Sequence, residues 1–153
     1  MTQGRNGFRS VAVSRCPAPD HIDLYAVPRP IGAPVDPRWW AERIFAIEST
    51  PVWVRGLFAV RMALVPLLGI PVRPAEDPFR VREVVDDEAF LAATDRHLDF
   101  YVGVGVDEDL VRLTTVVHLK GWRGRIYWSV VRLCHGPVVM AMVHRAAAGA
   151  GQA

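Results

Sequence analysis

Apolar and polar residues alternate most regularly along 96–106 and again along 111–119, which predicts one long antiparallel hairpin. On its first strand Leu98, Phe100, Val102, Val104 and Val106 fall on one side, and His97, Asp99 and Tyr101 on the other. On its second strand Val111, Leu113, Thr115, Val117 and Leu119 form the apolar set, opposed by Arg112, Thr114, Val116 and His118. Asp107-Glu108-Asp109 supplies an acidic, exposed turn. Matching the two apolar faces places either His97 or Asp99 opposite His118, depending on whether the turn holds two residues or four.

The rest of the chain arranges itself around this hairpin. Residues 1–19 lack periodicity and carry the breakers Pro17 and Pro19, so a flexible N-terminal arm is expected there. Residues 21–27 alternate as a short strand, with Ile22 and Leu24 on one side and Asp23 and Tyr25 on the other. Three prolines in 28–34 make that stretch a loop, because each removes a ladder donor. Asp36-Pro37 is a helix start, and Trp40 and Ile44 share the apolar face of the helix that follows.

Thr50-Pro51 repeats the start signal before a second helix over 52–68, apolar nearly all round except at Arg55 and Arg61. It is too short for a bilayer span of about 20 residues, so it is read as buried, with peripheral membrane contact as the alternative. A proline-rich turn over 70–74 leads to strands over 79–85 and 88–94 joined at Asp86-Asp87. Beyond the hairpin, residues 120–124 break the strand and 125–148 turn helical, with Tyr127, Val131, Cys134, Val138 and Met142 on one stripe. Gly136-Pro137 should kink or restart this helix, and 149–153 form a frayed tail. The expected domain occupies 20–148.

Composition narrows the function classes. At 153 residues and 51% apolar, the chain suffices for one core without disulfide or metal staples. Seventeen of the 18 basic residues are arginine, scattered along a chain of net charge +2, which gives no dense basic patch for nucleic acid. Cys16 and Cys134 lack metal-ligand spacing and read as free thiols of a cytoplasmic protein, since residues 1–10 show no secretory apolar region. No Ser-His-Asp order, Gly-rich phosphate loop or CxxC spacing is present, and no cofactor is expected.

The candidate chemistry is therefore sparse. His97, Asp99 and His118 share the polar face of the hairpin, where two imidazoles and a carboxylate would suit a divalent metal or a proton-transfer pair; a solvated sheet face explains the same pattern. His135, one residue beyond the apolar stripe of the last helix, is a second candidate, with a hydrogen-bonded structural histidine as its plain alternative.

The order strand, helix, helix, antiparallel strands, long terminal helix resembles the helix-grip fold of the START-like (SRPBCC) superfamily, an α+β architecture. His97-Leu98-Asp99-Phe100, Thr115-Val116-Val117, Gly124-Arg125-Ile126-Tyr127-Trp128 and His135 resemble the bacterial family called domain of unknown function 2867, over residues 20–147. This chain has Leu133 where that family's pattern carries a proline ahead of the histidine, and a proline at 137 instead. The family resemblance implies no established activity. The superfamily resemblance implies a cavity between a curved sheet and the last helix.

The leading expectation is a non-enzymatic binding protein for a small apolar ligand, without cofactor. Its lining would come from Phe100, Val102, Leu113, Thr115, Tyr127, Val131 and Cys134, with Trp40 or Trp53 at the mouth. One alternative is an enzyme of cyclase, dehydratase or hydrolase type, using His97, Asp99 and His118, or else His135. Another is an interaction module that forms a homodimer or docks on a membrane or a partner enzyme.

Overall fold

The computed structural model describes residues 9–46, 50–56, 66, 69 and 79–151. The long hairpin forms as expected, from β4 (Leu98–Val106) and β5 (Leu110–Leu119). Val106 pairs with Val111 and Asp99 with His118, which selects the four-residue turn. Asp107 holds that turn by accepting from the amides of Asp109 at 2.9 Å and Leu110 at 2.8 Å.

Three strands extend the hairpin into a five-stranded antiparallel sheet of order β1-β5-β4-β3-β2. Here β1 is His21–Pro28, β2 is Val81–Val85 and β3 is Glu88–Thr94. Asp86, with φ of 53°, and Asp87 make the two-residue turn between β2 and β3, where positive φ matches the twist of the strands. The strand begins at 81 rather than at 79, and a register shift between Val81 and Glu83 interrupts its pairing with β3.

The inner face of the sheet carries the apolar sets of β4 and β5, against which two of the described helices pack over most of their buried length. α2 (Pro37–Phe45) is capped by Asp36, whose carboxylate accepts from the Arg38 amide at 2.9 Å. It buries Trp40, Ala41 and Ile44 against the sheet, and the Trp40 indole donates to the Pro34 carbonyl at 2.8 Å. The terminal helix, α3 (Gly121–Ala150), adds Val139, Met142, Val143, Ala146 and Ala150 to the same core. A five-stranded antiparallel sheet held against a long terminal helix is a helix-grip-like α+β arrangement.

Several expectations need correction. The arm expected to be loose carries a short helix, α1 (Val11–Arg15), packed on the outer face of the sheet with Ala12, Cys16, Phe90 and Val116 buried together. Its anchor is Glu88, a buried carboxylate that accepts from the Ser10 hydroxyl at 2.7 Å and the Val11 amide at 2.9 Å. In β1 the apolar Ile22 and Leu24 face outward and are exposed, while His21, Asp23, Tyr25 and Val27 face the helices.

α3 starts at Gly121, earlier than expected, and runs through Pro137 without a break. Pro137 and Leu133 both lie on the exposed side, so the Leu133 carbonyl that loses its helical partner is left toward water. The buried stripe of α3 is rotated by about one residue from the expected one: Gly124, Trp128 and Val139 are buried, while Tyr127, Val131, Cys134 and Val138 are half-buried. Residues 52–56 are helical, with Val54 in the core. Most of the remaining expected second helix and the 70–74 turn lie outside the described residues.

Candidate functional site

The inward polar side of β1 and the first half of α3 meet in one cluster. Asp23 Oδ2 accepts from His21 Nε2 at 2.9 Å, and His135 Nε2 approaches the same oxygen at 3.1 Å. The His135 approach is short enough for an ion pair but is not aligned as a hydrogen bond. Trp128 lies against both imidazoles, its ring 4.9 Å from that of His21 and 5.4 Å from that of His135. Tyr25 comes next along β1, its hydroxyl running over Gly136, where the absence of a side chain gives it room.

Register adds one more member. Asp23 pairs with Thr115 of β5, so the threonine hydroxyl lies on the same inner face beside the carboxylate. Asp23 Oδ1, Thr115 Oγ1 and His135 Nε2 are all buried and have no hydrogen-bond partner among the described residues. His135 Nε2 still has its contact with Asp23 Oδ2, but Asp23 Oδ1 and Thr115 Oγ1 have no such compensation, and a buried polar group without a partner costs about 1–3 kcal/mol.

Electrostatics fixes the charge state of the carboxylate. Burial alone would raise the Asp23 carboxyl, but the close polar contacts and charges of His135 and His21 outweigh it, and its value lies below the ordinary 3.8. Burial, with the Asp23 charge second, raises the Tyr25 hydroxyl above its ordinary 10.0, which keeps it a proton donor at neutral pH. The cluster thus offers an ionised carboxylate, two imidazoles packed against one indole, a threonine hydroxyl and a phenol.

The hairpin triad does not assemble. His97 precedes β4, and its ring packs edge-on against Tyr127 of α3 at 5.3 Å, away from the outer face that holds the other two. Asp99 is taken by Lys120 Nζ at 2.6 Å. His118 Nδ1 meets the Ala18 carbonyl at 2.7 Å and the Asp20 carboxylate at 3.3 Å. Each therefore has a local partner instead of the other two.

Of the residues expected to line a cavity, Trp40, Val102 and Leu113 are packed in the core and Trp53 is exposed. Phe100, Tyr127, Val131 and Cys134 are half-buried, and Cys134 Sγ donates to the Val131 carbonyl of its own helix. Only Thr115 and His135 of the expected set enter the new cluster. His21, Asp23 and Trp128 were not singled out; their signal was the polar i, i+2 alternation of β1, which an edge strand with its polar side inward disguises as an ordinary solvated face. Among the described residues no group of three His, Cys, Asp or Glu side chains is placed to hold a metal ion.

The family model described as "Protein of unknown function (DUF2867)" matches residues 16–142. The chain belongs to this family. The match takes in β1, the whole sheet and α3 as far as Met142, so every member of the cluster lies inside the DUF2867 region. No curated protein and no solved structure matches the chain.

Proposed function

We propose that this DUF2867 protein binds a small molecule, mostly apolar but with one hydroxyl or N–H group, between β1–β5 and the first half of α3. The observation that carries the reading is the pairing of Asp23 with Thr115, whose buried Oδ1 and Oγ1 have no hydrogen-bond partner among the described residues, beside a buried His135 Nε2 held only by the unaligned contact with Asp23 Oδ2. A ligand donor would satisfy Asp23, and its apolar body would lie against Trp128 and the half-buried Val131 and Cys134. The resemblance to the START-like superfamily supports the same reading, since apolar molecules occupy the corresponding space there. The free thiols of Cys16 and Cys134 suit a reducing cytoplasm.

The test is the mass of the purified chain under native and then denaturing conditions, with the organic extract analysed. The expected result is a reproducible excess mass lost on denaturation, and its loss in Asp23→Ala and His135→Ala proteins that remain folded. A bare chain mass, or an excess mass that both variants retain, overturns the assignment.

One observation favours a second reading, an acid–base enzyme of the same site: both imidazoles address a single oxygen of an ionised carboxylate. Chemical change of the extracted compound by the wild type and not by Asp23→Asn would establish it. Recovery of the compound unaltered from both proteins would leave binding as the function.

A further inference from the structure

The two sides of α3 are both apolar over its first half, and the sheet covers only one. Gly124, Trp128 and His135 face the sheet, whereas Trp122, Ile126, Val130 and Leu133 follow one another at i, i+4, i+8 and i+11 on the opposite side. Those four are 66%, 46%, 60% and 75% exposed. Single exposed apolar residues are ordinary, but a continuous helical row ending in the exposed Pro137 is not.

Charge says what kind of surface fits this row. Residues 120–150 contain no Asp or Glu, while Lys120, Arg123, Arg125, Arg132 and Arg145 are basic. Arg123, Arg125 and Arg132 are exposed beside the row, and among the described residues none of them pairs with a carboxylate. Arg123 lies over the Trp122 ring at 5.3 Å. An indole and aliphatic side chains flanked by guanidinium groups that have no carboxylate partner among the described residues complement the boundary between acyl chains and anionic headgroups.

We infer that the exposed face of the first half of α3 docks the protein peripherally on an anionic lipid surface. Trp122, Ile126, Val130 and Leu133 enter the interface, and Arg123, Arg125 and Arg132 meet the headgroups. α3 has the length and composition of a membrane span, and its apolar window is only 22% buried. Its second half is nevertheless locked into the core by Val139, Met142, Val143 and Ala146, so the helix lies along the surface and does not cross. A second copy of the chain fits this face less well, because it would set arginines against arginines without a carboxylate from either helix.

Flotation of the full chain with phosphatidylcholine vesicles containing phosphatidylglycerol at about 30 mol% tests the inference, with pure phosphatidylcholine as the control. Binding is expected to the anionic vesicles only and to weaken with salt. The R123Q/R125Q/R132Q protein should bind about a hundredfold more weakly, from roughly fivefold per guanidinium. Leu133→Glu should abolish binding while leaving circular dichroism unchanged, because the side chain is exposed. Equal partition onto neutral vesicles, or none onto either, overturns the inference. Concentration-dependent dimerisation in sedimentation that Leu133→Glu abolishes also overturns it, assigning the face to a second copy.

Discussion

At Gly103 a methyl group would lie 1.5 Å from Glu88 Oε1, and at Gly124 it would lie 2.1 Å from the His97 carbonyl oxygen. The two positions fail differently when filled. The His97 oxygen is backbone and also accepts from the Lys120 amide at 2.8 Å, so it cannot swing away. Gly124→Ala should therefore cost about 1–3 kcal/mol or more in urea unfolding. The Glu88 carboxylate is a side chain that can be removed, so Gly103→Ala should be far less damaging in a Glu88→Ala background than alone, a non-additivity that a double-mutant cycle reads directly. Asp23 predicts a pH effect. Its folded value is lowered, so its contribution to stability is present above the unfolded value of 3.8 and is lost as pH falls through the folded one. Asp23→Asn should flatten the acid limb of a stability–pH series below 3.8 and leave the limb above neutrality unchanged.

Among the elements, α1 depends on a partner far along the chain. The Ser10 hydroxyl and Val11 amide are held by Glu88, and Arg15 pairs with Glu83, so two carboxylates of the β2–β3 hairpin retain the N-terminal segment. Glu88→Ala should release α1 and expose the bonds ahead of β1 to limited proteolysis at unchanged sheet content. Nothing local in residues 1–19 announces this helix: its five residues include two β-branched valines, and only tertiary contact stabilises so short a piece. The hairpin was legible because alternation, turn chemistry and an apolar face interrupted only at Thr115 agreed from Leu98 to Leu119. α2 was legible from Asp36-Pro37. The cluster was not, because β1 buries its polar residues and exposes Ile22 and Leu24, the reverse of what alternation on an edge strand ordinarily means. Likewise Pro137 argued for a break that the helix avoids by placing it on the water side.

For the whole molecule, the order of the sheet separates neighbours in space from neighbours in sequence. β2, β3, β4 and β5 follow one another as successive hairpins, but β1 lies at the far edge against β5, with His21 beside Val117. The four-stranded meander can therefore form from short-range contacts, while β1 must wait for a closure spanning about 90 residues, whose entropic cost comes before any contact repays it. Val27→Ala on β1 should accordingly speed unfolding and leave the folding rate nearly unchanged in stopped-flow chevrons, whereas Val104→Ala on β4 should slow folding. The cluster inherits this timing. In this order of folding His21 and Asp23 arrive with the last strand to dock, so a chain that stalls before that step carries the four-stranded meander without the polar cluster.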